Sequence, residues 1–326
     1  VSAAAASLEA VIHAGGAHLP ELMGRVEERL GGLAGGHGAL LGRHAGATIA
    51  AGGKRLRPLL VFLAAGEPAG ESTGEGLVRA AVAVELVHSA TLVHDDVLDA
   101  AALRRGRPTV VAEGGRQLAT ATGDLLFSRA FAELAWNERV DEVAVLTDAG
   151  AALARGELLQ RADAWDPAVS LARYLERCEL KTARLFEAAC RLGALEGRGF
   201  TDVIARFGRG IGLAFQILDD VLDVSGPTER TGKQRGADLL DGTVTLPLIL
   251  ARGQDPELAG TDLRSLRTPE QAEAACDRIE RTGALDAARA RALEIVSGAK
   301  QELPALPARQ REILELVADG VVERYS

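Results

Sequence analysis

Two stretches of the sequence each set three aspartates within five positions: His88-Ser-Ala-Thr-Leu-Val-His-Asp-Asp-Val-Leu-Asp99 and Phe215-Gln-Ile-Leu-Asp-Asp-Val-Leu-Asp223. On a helix Asp95 and Asp99 stand one turn apart on one face, with Asp96 beside them. Asp219, Asp223 and Asp220 repeat the arrangement. His88 and Leu92 lie on the same stripe as Asp95 and Asp99. Like charges one turn apart destabilise a helix, and acids near its C-terminal end oppose the macrodipole. Something cationic must offset that cost. One such cluster could be a solvated helix end. Two of them, each closing an apolar helix, read as a hard-cation site. Mg²⁺ suits it, because it takes oxygen ligands, keeps several waters and is shared between a carboxylate or two and a substrate phosphate.

Cations follow the same logic. Gly52-Gly-Lys-Arg-Leu-Arg-Pro58 places Lys54, Arg55 and Arg57 directly after paired glycines. Glycine lets backbone approach a ligand closely, and the cations supply charge-assisted donors, so the stretch could cradle a diphosphate. It lacks the glycine spacing and the Ser/Thr of a P-loop. Taken alone, it reads rather as a basic helix start on the surface. Arg104-Arg105-Gly-Arg-Pro108 lies five residues past the first carboxylate cluster. It could pair with those acids or grip a phosphate whose metal they hold.

The elements that must position these groups are helices. Hydrophobic residues make up 47% of the 326, yet aromatics only 3%, and alanine is abundant. That favours close-packed helices over sheets. Helical spacing predicts helices over 20–30, 39–51, 56–65, 75–102, 110–136, 140–164, 170–195 and 201–224, and three more after 269. Gly114-Gly115 should interrupt the fifth, and Phe127, Phe131 and Leu134 mark its buried side. Pro247 sits in the first turn of a short helix near 243–250. No strand alternation, 20–50-residue repeat or splitting linker is visible. The expectation is one all-α domain over 1–326, with 1–19 a peripheral extension. The net charge of −9 gives no support for nucleic-acid binding. Cys178, Cys190 and Cys276 lack metal or disulfide spacing and suit buried positions in a reduced, cytoplasmic protein. No uninterrupted apolar run reaches the length of a transmembrane helix.

Taken in order, these stretches resemble the trans-prenyltransferases, the polyprenyl diphosphate synthases, over roughly residues 20–326. The match runs through Gly52–Pro58, His88–Asp99 with Arg104-Arg105-Gly106, Lys181-Thr182, Gln216 with Asp219–Asp223, and Lys233 before Thr245-Leu-Pro247. The resemblance implies an all-α bundle of about ten or more helices around a deep cavity, the two aspartate clusters facing each other across its mouth. It implies head-to-tail condensation of isopentenyl diphosphate with an allylic diphosphate. Asp95, Asp99 and Asp219 would hold magnesium, three ions when substrate is bound. Asp96, Asp220 and Asp223 would complete the shell. Arg104, Lys181, Gln216 and Lys233 match allylic-substrate positions, with Thr182 turned towards the nascent cation or the diphosphate. Lys54, Arg57, His88 and Arg105 match positions that hold isopentenyl diphosphate. The family is usually homodimeric.

Two positions depart from the family pattern. Ala100-Ala-Ala-Leu103 follows Asp99 where relatives often carry polar residues, and Thr243 replaces a second lysine of many relatives. What the resemblance implies about product length turns on Ala90 and Thr91, one turn before the first aspartate. They are small where aromatics give short products, so a long-chain product is expected, with a geranylgeranyl- or farnesyl-type synthase as the alternative. A terpene cyclase or squalene-type synthase would need no isopentenyl cradle. A non-catalytic subunit of a heteromeric synthase should have lost an aspartate cluster, and both are intact.

Overall fold

The computed structural model describes residues 11–12, 14–16, 18–33, 38–51, 53, 55–66, 74–104, 106–197, 199–226 and 234–323. Lys54, Arg105, Lys233 and most of the first seventeen residues lie outside these. The first helices are α1 (His18–Leu33), α2 (Ala39–Ala50), α3 (Leu56–Ala65) and α4 (Glu75–Leu98). Then come α5 (Val110–Ala135), α6 (Val140–Ala162), α7 (Leu171–Cys178), α8 (Arg184–Glu196) and α9 (Thr201–Ser225). The series closes with α10 (Ala237–Leu240), α11 (Leu246–Arg252), α12 (Pro256–Gly260), α13 (Pro269–Arg281), α14 (Ala284–Gln301) and α15 (Ala308–Glu323).

Three local features depart from simple helical periodicity. α4 stops at Leu98 rather than near 102, and Asp99 becomes its cap, its N–H bonded to the Asp95 carbonyl at 2.8 Å. The chain then makes a two-residue antiparallel ladder, β1 (Leu103–Arg104) with β2 (Arg107–Pro108), paired Leu103↔Pro108 and Arg104↔Arg107. This corrects the expectation of no strand; two residues are too few to show a period. Thr109 fastens the hairpin, donating its hydroxyl to the Ala101 carbonyl at 2.5 Å and capping α5 through the Ala112 N–H. Inside α5, Gly115 takes φ 76°, a value costly for side-chain-bearing residues, and kinks the helix where the paired glycines predicted an interruption.

The chain forms two compact units. The first comprises the described parts of Val1–Ala151, Leu185–Gly208 and Glu302–Val317. At its centre is α4, buried at nearly every position from Leu77 to Val87. It packs chiefly on α5 and α3. By length and hydropathy α4 alone among the described helices could cross a membrane, but 72% of its most apolar stretch is buried in the fold, as in a core helix. Glu85 is acceptable there because Arg55 donates to it at 2.7 Å. Arg55 also bonds Glu27 and the Ile49 carbonyl, so it serves the fold rather than a ligand. The three cysteines are buried.

The α5–α6 turn of this unit buries a carboxyl. Glu142 is fully buried, takes a hydrogen bond from Asn137 Nδ2 at 2.8 Å and lies 3.9 Å from Arg139 Nε. Burial, then a hydrogen bond shared with the Glu196 carboxyl, pushes Glu142 up to about 8. A group raised in the folded state stabilises it below its unfolded value and ceases to do so as pH rises through the folded one. Stability should therefore fall between about pH 4.5 and 8, by up to about 1.4 kcal/mol per pH unit from this group. Thermal unfolding of wild type and Glu142→Gln across that range checks it. The wild-type midpoint should decline more steeply, and parallel curves would contradict the assignment.

The second unit comprises Ala152–Arg184, Arg209–Gln301 and the described part of Ala318–Ser326. α11 packs on α14 and α13, burying Leu246, Leu248 and Ala251. Pro247 sits in the first turn of α11 as expected, and Thr268 caps α13 in a capping box with Gln271.

Candidate active site

The last three turns of α4 differ from the rest of the helix. His88, Thr91, Leu92 and Asp95 are half-buried and Asp99 is exposed, so the stripe read from the sequence is the side on which the helix opens. Asp96 points the other way, is 5% exposed, and accepts from Arg104 Nε at 2.8 Å. Burial raises its pKa against the pull of Arg104. For Arg104 the structure thus shows charge pairing with the cluster, the hairpin folding it back onto α4. Thr91 donates its hydroxyl to the His88 carbonyl at 2.8 Å, whereas Ala90 is fully buried. Phe127 and Phe131 are only half-buried, and the core side of α5 is Leu126, Ala130 and Leu134. Phe127 instead stacks on His94.

α9 repeats the arrangement in the second unit. Gln216, Asp219 and Asp223 are half-buried, while Asp220 is 4% exposed. Tyr174 donates its hydroxyl to Asp220 Oδ2 at 2.7 Å, and Gln216 Nε2 donates to Oδ1 at 2.8 Å. Thr182 in turn donates to Gln216 Oε1 at 2.6 Å. Burial nevertheless raises the Asp220 pKa, with Asp238 adding to the rise. Asp223 accepts the Asp238 N–H at 3.3 Å. In each cluster, then, the middle aspartate is buried and tied by protein donors, and the outer two are less enclosed.

Lys181 and Thr182 sit in a π-helical turn, Glu179–Ala183, between α7 and α8. Such one-residue insertions cost helical hydrogen-bond geometry and recur at functional sites. The Lys181 ammonium lies 2.5 Å from the Glu157 carboxylate of α6, which also accepts from Arg161 at 2.8 Å. Although burial acts to raise it, these ion pairs hold Glu157 below the ordinary carboxylate range.

Arg57, on α3, is half-buried with its guanidinium 4.7 Å from the Phe186 ring centre. Its Nε is buried without a hydrogen-bond partner. Burial lowers its pKa to about 10, against the pull of Glu85. A desolvated cation of this kind is stabilised by an anion. Glu157 lies in a stretch, Gly156-Glu-Leu-Leu-Gln160, to which the sequence gives no role, and nothing in the sequence marks Tyr174 or the buried Arg177, which donates to the Val244 carbonyl at 2.6 Å.

The donors fit a hard divalent cation. Among the described residues no three His, Cys, Asp or Glu side chains converge closely enough to enclose an ion alone. Each cluster instead offers two outer carboxylates one helical turn apart, suited to a cation that completes its shell with water and phosphate.

Residues 39–300 match the family model described as polyprenyl synthetase. Heptaprenyl diphosphate synthase component 2 of Geobacillus stearothermophilus is 40% identical over 79% of this chain and 83% of that protein. Geranylgeranyl diphosphate synthase of Methanosarcina mazei is 37% identical over 85% of this chain and 87% of that protein. Polyprenyl synthase from Caulobacter crescentus, in a structure complexed with calcium and isoprenyl diphosphate, superposes with a TM-score of 0.88 at 34% identity. That match covers 98% of each chain. The fold is therefore the all-α isoprenoid synthase type expected from the sequence. The chain belongs to the polyprenyl synthetase family, and it is a trans-prenyltransferase, a polyprenyl diphosphate synthase.

Proposed function

We propose that the protein is a magnesium-dependent synthase that extends an allylic diphosphate with isopentenyl diphosphate to a long-chain product. The observation that carries this reading is the division of labour within each cluster, with the middle acid buried and bonded within the protein and the outer two less enclosed and one helical turn apart. Asp95, Asp99 and Asp219 would hold the cations, with Asp223 and water completing the shell. Bound there, the metal would neutralise the charge that leaves with the allylic diphosphate. The calcium in the Caulobacter structure is a hard cation of the same kind.

The remaining roles fall to this chain's own side chains. The Lys181 ammonium and Gln216 amide bind and orient the allylic diphosphate, with Lys233 as a further cation. Thr182, fixed by its bond to Gln216, presents an oxygen to the developing positive charge. Arg57, with Lys54, His88 and Arg105, binds isopentenyl diphosphate. Thr91, half-buried one turn before Asp95, is the residue best placed to act on product length.

Purified protein incubated with isopentenyl and farnesyl diphosphates, with magnesium or with a chelator, tests the reading. Polyprenyl diphosphate should form only with metal. Cyclic hydrocarbon, or no product from isopentenyl diphosphate, would point to a cyclase or an inactive subunit instead. Arg57→Ala should raise the KM for isopentenyl diphosphate roughly tenfold to a hundredfold, the value of one charge-assisted contact. The allylic KM should stay near wild type, and equal damage to both would overturn the assignment.

A further inference from the structure

We propose that Gly156 and Glu157 are positioning residues for Lys181: one seats its backbone and the other aims its ammonium. The proposal rests on Lys181 binding the allylic diphosphate, as proposed above. All the groups involved belong to the second unit.

The backbone contact comes first. A Cβ on Gly156 would lie 2.5 Å from the Lys181 nitrogen and 2.9 Å from its Cα. α6 therefore touches the π-turn at the residue that bears the lysine, and any side chain at 156 would push the turn away. The next residue supplies the charge. Glu157 is 13% exposed in its side chain, so its pairing with Lys181 is little screened by water. It is also shared with Arg161, one turn further along α6. Two cations thus share one acid, so Glu157 neutralises Lys181 only in part. An ammonium has three N–H donors and Glu157 occupies one direction, which leaves the others oriented for an anion. A lysine without that anchor would spread over many rotamers, and ordering it would fall to the substrate.

The test measures KM for each substrate, kcat and thermal unfolding in Glu157→Ala, Glu157→Gln, Gly156→Ala and Lys181→Ala. Glu157→Ala should raise the allylic KM about tenfold while the isopentenyl KM stays near wild type. Glu157→Gln, which keeps an acceptor but no charge, should fall between Glu157→Ala and wild type. Gly156→Ala should raise the allylic KM although it alters no charge. An unchanged or lowered allylic KM in Glu157→Ala overturns the proposal. So do equal rises for both substrates, which a merely structural role would give. Should Gly156→Ala fail to fold, the two Glu157 variants decide. A raised allylic KM in Lys181→Ala with none in Glu157→Ala overturns only the positioning role. No rise in Lys181→Ala overturns the role given to Lys181 itself, and this proposal with it.

Discussion

Asp95→Ala and Asp219→Ala enzymes are expected to lose prenyl transfer by at least about a hundredfold to a thousandfold while keeping their helical fold. The loss is large because each acid offers charge to a cation that must balance a departing polyanion, and removing one well-aimed electrostatic partner costs about that much. The fold should survive because these two carboxylates are half-buried and lie outside the core. Asp96→Ala should behave in the opposite way. It strips Arg104 of its partner and leaves space inside the fold, so the unfolding midpoint should drop. Turnover at saturating magnesium and circular dichroism melts measure both. Near wild-type turnover in either outer variant would remove the metal assignment.

The second large effect concerns product length. Each isoprene unit adds five carbons, and burying them gains about 4 kcal/mol at about 0.8 per CH₂-sized group. A side chain that overlaps the path acts as a stop, because overlap costs more than burial returns. Thr91 and Ala90 are neighbours, but the structure separates them. Thr91 is half-buried on the side that carries Asp95, whereas Ala90 is enclosed by core. Thr91→Phe is expected to shorten the product by at least one unit with the fold intact. Ala90→Phe is expected to destabilise the protein by about 1–3 kcal/mol or more through overpacking, whatever it does to length. Mass spectrometry of dephosphorylated products and thermal melts give the two readouts. An active Thr91→Phe enzyme with unchanged products would show that the chain does not pass this face.

Which parts were legible in the sequence follows from what is local. Asp95 and Asp99, like Asp219 and Asp223, share a face by helical spacing alone, and the structure keeps both pairs. The enclosure of Ala90 is legible too, since the run Ala80–Val87 before it is apolar at every position but Glu85. A helix apolar on every side is buried on every side. What could not be read is non-local. Glu157 and Lys181 are 24 residues apart, and Tyr174 and Asp220 are 46 apart, and no spacing pairs them. The π-turn is invisible for the same reason, since its backbone seat is Gly156 on another helix. Thr182 carried no signal of its role beyond the resemblance, and its bond to Gln216 gives it one.

The burial of α4 bears on how the chain comes off the ribosome. The helix contains a stretch as apolar as a membrane span, yet much of its cover is α5, which ends only at Ala135. At about 5–20 residues per second the nascent helix waits a few seconds for that cover. During this time its apolar middle, between Glu75 and the carboxylate cluster, is open to capture by lipid or another nascent chain. Slow decoding across 99–135 should therefore lower the yield of folded enzyme, and split-protein boundaries are better set beyond Ala135 than between the two helices.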